Sequence, residues 1–224
     1  MERILHFFVQ YPIDFIAHIS SVLPIVIGIS RYRYLNNSLK IILFFFIISF
    51  IKDTYSLALI FSIPNNLYVQ NIESVYQTAL IGAVFYFSFE ENFSRRIIAL
   101  STILCTAFTL FYYKNNEVSS ISLSTVRLLA IALALAYFSK IMVDMRVKNI
   151  MKHSMFWFSA GLLIYAAGTF FAMSLSEYWY KDINKVPVEI FDKYWNSSQI
   201  LLIIFAMLST VGLWFAKCDN DNFV

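Results

Sequence analysis

The stretch LKIILFFFIISFIKDTYSLALIFSI, residues 39–63, decides how the chain is read. It is long enough to cross a bilayer, for which about 20 mostly apolar residues suffice at ~1.5 Å rise per residue. Yet Lys52 and Asp53 stand side by side near its middle, within Ser49-Phe50-Ile51-Lys52-Asp53-Thr54-Tyr55-Ser56. On insertion scales each such charge costs roughly 2.5–3.5 kcal/mol at the bilayer centre, so it must be paired, solvated by an internal cavity, or functional. The sequence therefore describes a polytopic membrane protein with a polar layer inside it.

Composition agrees. Hydrophobic residues make up 59% of the chain and charged ones only 14%, whereas a soluble domain carries about 25% charge. The net charge of +3 is small and the basic residues are spread over several loops, which gives no nucleic-acid surface. Cys105 falls in a span and Cys218 beyond the last one, without a CxxC pair or a disulfide framework. Pro12 and Asp14 interrupt the first apolar stretch and no small-residue cleavage site follows, so the first span is expected to do its own targeting.

Working outward from residues 39–63, seven segments qualify as spans: approximately 12–30, 39–63, 67–89, 96–113, 120–142, 154–177 and 195–216. The links between them are brief except for Tyr178 to Tyr194, so consecutive helices are expected to be antiparallel neighbours. The expectation is an all-α, seven-helix bundle in which residues 1–224 form one domain. Lysine and arginine set its orientation. With the N-terminus outside, ten basic residues (Arg31, Arg33, Lys40, Arg95, Arg96, Lys140, Arg146, Lys148, Lys152, Lys217) lie inside, against five outside (Arg3, Lys114, Lys181, Lys185, Lys193). The positive-inside rule then gives N-out and a cytoplasmic C-terminus, in a cell (cytoplasmic or inner) membrane. Tyr178, Trp179, Tyr180, Tyr194 and Trp195 read as anchors at the outer boundary, and Gly161 and Gly168 as a close-packing face of the sixth segment.

In that orientation Asp53 lies roughly 15 Å, Arg127 roughly 11 Å and Glu73 roughly 9 Å below the outer ends of their segments. His18, Tyr55, Asn71, Gln77, Asn196 and Gln199 share the same outer half, and Lys52 and Arg127 balance Asp53 and Glu73. Adjacent helical positions point about 100° apart, so Lys52 and Asp53 are not expected to face one partner. Two readings stand. In one, Arg127 bridges Glu73 or Asp53 in a self-satisfied network that only sets helix register. In the other, Asp53, Glu73, Arg127, Lys52, Tyr55, Gln77, Asn196 and Gln199 form an outward-facing pocket for a small ligand or a proton.

Other chemistries fit poorly. Glu90-Glu91-Asn92-Phe93-Ser94-Arg95 has the EExxxR pattern of intramembrane CAAX-type proteases, but only one histidine, His153, follows it. His6, His18 and His153 fall on different sides of the membrane, which does not make a zinc site. The seventh segment lacks a central lysine for retinal. With no nucleophile, metal set or cofactor motif, the reading leans away from an enzyme.

Several scattered features remain: Ser49-Phe50 with Asp53, Tyr76 close to Glu73, Tyr137-Phe138, Phe156-Trp157 with Gly161 and Tyr165, and Trp195-Asn196. Together they resemble a group of small, uncharacterised bacterial seven-helix membrane proteins often encoded near sensor histidine kinases. Lys52 beside Asp53, and Arg127, depart from that group. The resemblance implies a sensory or accessory role beside a sensor kinase or another membrane partner. A tail of seven residues after Lys217 leaves no room for an output domain, so such a sensor would act through another protein. The alternative is a small channel or transporter that uses the same buried charges, favoured if polar residues continue into the inner half.

Overall fold

The computed structural model describes residues 11–60, 67–115, 117–144, 148–181 and 187–219. Those residues form nine α-helices and two short 3-10 turns, and no strand occurs among them. In chain order the helices are α1 (Pro12–Ser20), α2 (Val22–Ser30), α3 (Asn37–Ile60), α4 (Tyr68–Ser88) and α5 (Asn92–Phe111). There follow α6 (Ser120–Asp144), α7 (Ser154–Ser174), α8 (Ser176–Lys181) and α9 (Val188–Asp219). Residues 61–66, the middle of the connection before α9, Arg146 and the residues up to 10 lie outside the described set.

Six helical stretches are long and apolar enough to cross a membrane: Pro12–Ser30, Asn37–Leu59, Asn92–Phe111, Ser120–Asp144, Ser154–Ser174 and Glu189–Asp219. The protein is a multi-pass, all-helical membrane protein. Helix α4 has 21 residues but is not among the six. Gln70, Asn71, Glu73 and Gln77 dilute its hydropathy, and much of its surface is covered by neighbouring helices rather than offered to lipid.

The first predicted span is bent. Pro24 has no N–H to donate to the carbonyl of Ser20 and its ring crowds that carbonyl, which is where α1 gives way to α2. Ser21 keeps right-handed helical angles, so the chain kinks and continues. At the other extreme α9 begins seven residues before the predicted span and runs for 32 residues. The long connection between residues 178 and 194 thus contains the end of α8 and the first turns of α9.

The helices close into a ring. Helices α1 and α2 pack on α9, α2 on α3, α3 on α4, α4 on α6, α6 on α7, and α7 on α9. Helix α5 lies outside the ring against α4 and α6, leaving Leu100, Ile103, Leu104 and Phe111 exposed as a lipid-facing surface would require. We call the face where α1 begins the first face, and the face where α9 ends the second.

The core is aromatic. Phe46, Phe85, Phe158 and Phe205 are each almost wholly buried. Phe205 holds the group together, with ring centroids 5.3 Å from Phe46, 5.6 Å from Phe158 and 5.5 Å from Tyr165; such pairs add about 0.5–1.5 kcal/mol each beyond their area burial. On the first face Asn71 stitches the α5–α6 link. Its Nδ2 donates to the carbonyls of Lys114 and Glu117 (2.7 Å to the latter), and its Oδ1 accepts from the Ser119 backbone N–H at 3.0 Å. Lys114 also reaches Glu177 at 2.9 Å. That hydrogen bond is the main reason the Glu177 carboxyl sits below its ordinary range.

Helices α4 and α5 approach closely at Gly82. A Cβ there would lie 2.1 Å from Oγ1 and 2.2 Å from Cγ2 of Thr102. Thr102 cannot swing aside freely, because its hydroxyl is bonded to the Ile98 carbonyl at 2.7 Å. Gly82→Ala is expected to lower stability by about 1–3 kcal/mol through overpacking. In thermal unfolding of purified protein, Gly82→Ala with Thr102→Ala should recover part of that loss, since the two closest atoms are gone while the Thr102 Cβ remains at 2.7 Å; equal losses in both proteins would refute this account of the contact.

Candidate functional site

Near the first face the ring encloses a cavity of about 230 Å³. Its polar wall is built from α3 and α4. Lys52 Nζ lies 2.5 Å from Asp53 Oδ1 and 2.6 Å from Glu73 Oε2. These side chains are 17–25% exposed, so they face the cavity rather than bulk water. One ammonium between two carboxylates leaves this group with a net charge of −1.

Glu73 hands the network on. Its Oε1 accepts from Gln77 Nε2 at 2.7 Å, one helical turn along α4. The Gln77 carbonyl oxygen accepts from Arg127 Nη1 of α6 at 3.0 Å, and Arg127 Nη2 donates to the Tyr165 hydroxyl of α7 at 2.9 Å. Arg127 is 4% exposed, its Nε has no acceptor, and it makes no ion pair with any described carboxylate. Its charge is delocalised and always present, so the only help it receives is from neutral groups.

The geometry corrects two expectations. Lys52 and Asp53 do meet: the four-carbon lysine stem lets the ammonium fold back to the neighbouring carboxylate while also reaching across to α4. The 100° separation of their Cβ directions limits only short side chains. Arg127, for its part, does not bridge Glu73 or Asp53. Gln77 stands between them, and the balanced charges are held as two separate poles rather than one clamp.

Among the other residues anticipated from sequence, His18 and Gln199 line the cavity with these groups. Tyr55 does not: it is 51% exposed and its hydroxyl lies 3.2 Å from that of Tyr68. Asn196 is also off the lining, and Asn71 is consumed by the backbone of the α5–α6 link. Asp14, Tyr165, Tyr194 and Trp195 also belong to the cavity, although their sequence context points to other roles. Asp14 looks like an interruption in an apolar stretch, and Trp195 like a membrane anchor. Here the Trp195 indole N–H donates to Asp14 Oδ1 at 2.8 Å, joining α9 to α1 across the mouth.

The floor of the cavity is formed by Phe45, Phe46 and Phe205. On α3, α4, α7 and α9 alike, the rings of the core lie six to twelve residues closer to the second face than the polar groups above them. At the second face there is a separate buried cluster. His153 Nδ1 lies 2.9 Å from Asp219 Oδ1, His153 Nε2 lies 2.6 Å from the Tyr137 hydroxyl, and the Ser154 backbone N–H donates to the same Asp219 oxygen at 3.1 Å. It joins α6, the start of α7 and the end of α9. No group of three or more His, Cys, Asp or Glu suited to a metal ion occurs among the described residues. Compared with known proteins, the chain matches no family model, no curated protein and no solved structure.

Removing the ammonium would leave two carboxylates facing each other in a half-closed space. Lys52→Met is therefore expected to be destabilising, near the lower end of the ~3–5 kcal/mol typical of a broken buried pair because the cavity admits some solvent. Adding Glu73→Gln should return part of that loss, giving a measurable coupling in a double-mutant cycle. Additive losses in thermal or denaturant unfolding would show that the three groups do not act together.

Proposed function

We propose that the protein is a receptor-like membrane sensor or signalling accessory. In this reading α4 is a seventh span, the first face is outside and the second cytoplasmic, and the cavity receives a small ligand or a proton. The observation that carries the proposal is the 230 Å³ space into which Lys52, Asp53, Glu73 and Arg127 all turn. A purely structural clamp would have brought Arg127 onto a carboxylate and filled the space between them. Intramembrane ionisable groups that line a cavity are, by default, functional.

The charge pattern supports the orientation, since the basic residues Arg31, Lys40, Arg95, Arg96, Lys140 and Lys217 gather toward the second face. The same residues offer a surface for a cytoplasmic partner, such as a sensor kinase, as the resemblance described above would imply. The channel or transporter alternative calls for a polar path through the second half of the bundle, and Phe46, Phe85, Phe158 and Phe205 occupy its centre instead.

The test is access from outside. With Cys105 and Cys218 replaced by serine, Gln199→Cys should react in intact cells with a membrane-impermeant thiol reagent, and Met142→Cys, on the lipid-facing side near the second face, should not. Labelling of Gln199→Cys only after the inner side is opened would overturn the assigned orientation. No labelling from either side would overturn the pocket. Saturable ion or solute flux in proteoliposomes would replace the sensor with the transporter.

A further inference from the structure

The cavity has two electrically distinct ends. On α3 and α4, Lys52 serves both Asp53 and Glu73, leaving one negative charge in excess. On α6, Arg127 is buried with its Nε unsatisfied, and only a glutamine carbonyl and a tyrosine hydroxyl accept from it. A guanidinium has five N–H donors, and with two spent on these acceptors three have no partner among the described residues. A buried cation without a counter-charge is strongly disfavoured unless something supplies one.

A simple anion would satisfy Arg127 but meet the excess negative charge of Asp53 and Glu73. A simple cation would do the reverse and leave Arg127 as it is. A molecule bearing both charges a short distance apart satisfies both ends. The spacing suits this: a single Gln77 carboxamide spans the two poles, with hydrogen bonds of 2.7 Å to Glu73 and 3.0 Å from Arg127. An α-amino acid carries its ammonium and carboxylate on a single carbon, a comparably short bridge. Beside these groups Phe46, Phe205 and their neighbours offer an apolar, aromatic wall, which suits an apolar side chain.

Resting on the outer-cavity reading above, we propose that the site binds a free amino acid with an apolar side chain. The carboxylate pairs with Arg127, the ammonium with the Asp53 and Glu73 side, and the side chain lies against the aromatic floor. Each charged contact should contribute about 10- to 100-fold in affinity.

The experiment compares L-phenylalanine, L-phenylalaninamide and 3-phenylpropionate, by calorimetry and thermal shift, on the purified full-length protein. Phenylalanine is expected to bind and to raise the melting temperature. The amide, which lacks the anion, and the phenylpropionate, which lacks the cation, should each bind at least tenfold more weakly. Arg127→Lys should weaken phenylalanine but not the amide, a pattern that loss of folding cannot produce; the analogue comparison on the unaltered protein needs no variant at all. An amide as tight as phenylalanine would overturn the role of Arg127, and a phenylpropionate as tight would overturn that of the carboxylates. Glycerophosphoethanolamine tests the other source of such a charge pair, a lipid headgroup; its binding in place of phenylalanine would overturn the amino-acid assignment. If nothing binds while Gln199→Cys remains accessible from outside, the ligand class falls and the pocket stands; if that cysteine is inaccessible, both fall.

Discussion

One ammonium shared by two carboxylates sets the constraint on which the upper half of this bundle depends. Without Lys52, Asp53 and Glu73 would stand as like charges on adjacent helices in a place of poor solvation, and one of them would have to be neutralised. With Lys52 between them, α3 and α4 are drawn together at a fixed level by contacts of 2.5 and 2.6 Å. That pairing also removes the obvious partner for Arg127. Both carboxylates already have a cation, so the guanidinium on α6 is held by Gln77 and Tyr165 instead, and the cavity keeps two poles.

The apolar half follows from the same division. Between the polar level and the His153–Asp219 cluster, the described helices carry no charged side chain, and they meet through rings that bury area without needing partners. Phe205 is the centre of that layer, and its stacking on Tyr165 places the tyrosine hydroxyl where Arg127 can use it. Small residues then fix how near the helices come. Gly161 of α7 faces Phe205 and Leu208 of α9, and Gly212 of α9 lies against the Ser154 carbonyl of α7, where an added Cβ would be 2.7 Å from backbone. Polar geometry above and close backbone packing below leave α7 and α9 little freedom to slide.

Much of this was legible in the sequence because hydropathy, charge and depth are properties of position along a helix. Six of the seven expected spans, their helical nature and the convergence of residues 52, 53, 73, 77 and 127 at one level all follow from counting at ~1.5 Å per residue. Rotation about each helix axis is harder to read when nearly every face is apolar. That is why Tyr55 and Asn196 were expected in the site although the one turns outward and the other stays off the lining. Side-chain reach was the second blind spot: the fold-back of Lys52 to its neighbour depends on a flexible stem that backbone geometry does not describe. Asp14 and Trp195 were missed for a third reason. Each has an ordinary local explanation, and only the return of α9 onto α1 brings them together.

That return also bears on how an event in the cavity could reach the other face. Helices α7 and α9 both contribute to the cavity, through Tyr165 on one and Trp195, Gln199 and Phe205 on the other. Their far ends are tied by His153 and Asp219, with Tyr137 of α6 completing the chain of contacts. Asp219 Oδ2 and the Ser154 hydroxyl are buried there without partners, so this tie is incompletely satisfied. Between the two levels lies a continuous path of packed rings from Tyr165 through Phe205 to Phe158 and Phe85, and then to Tyr137. Densely packed interiors transmit a displacement rather than absorb it. Small as the freedom of α9 against α7 is, a shift at the cavity would therefore be carried through these rings to the His153–Asp219 contact.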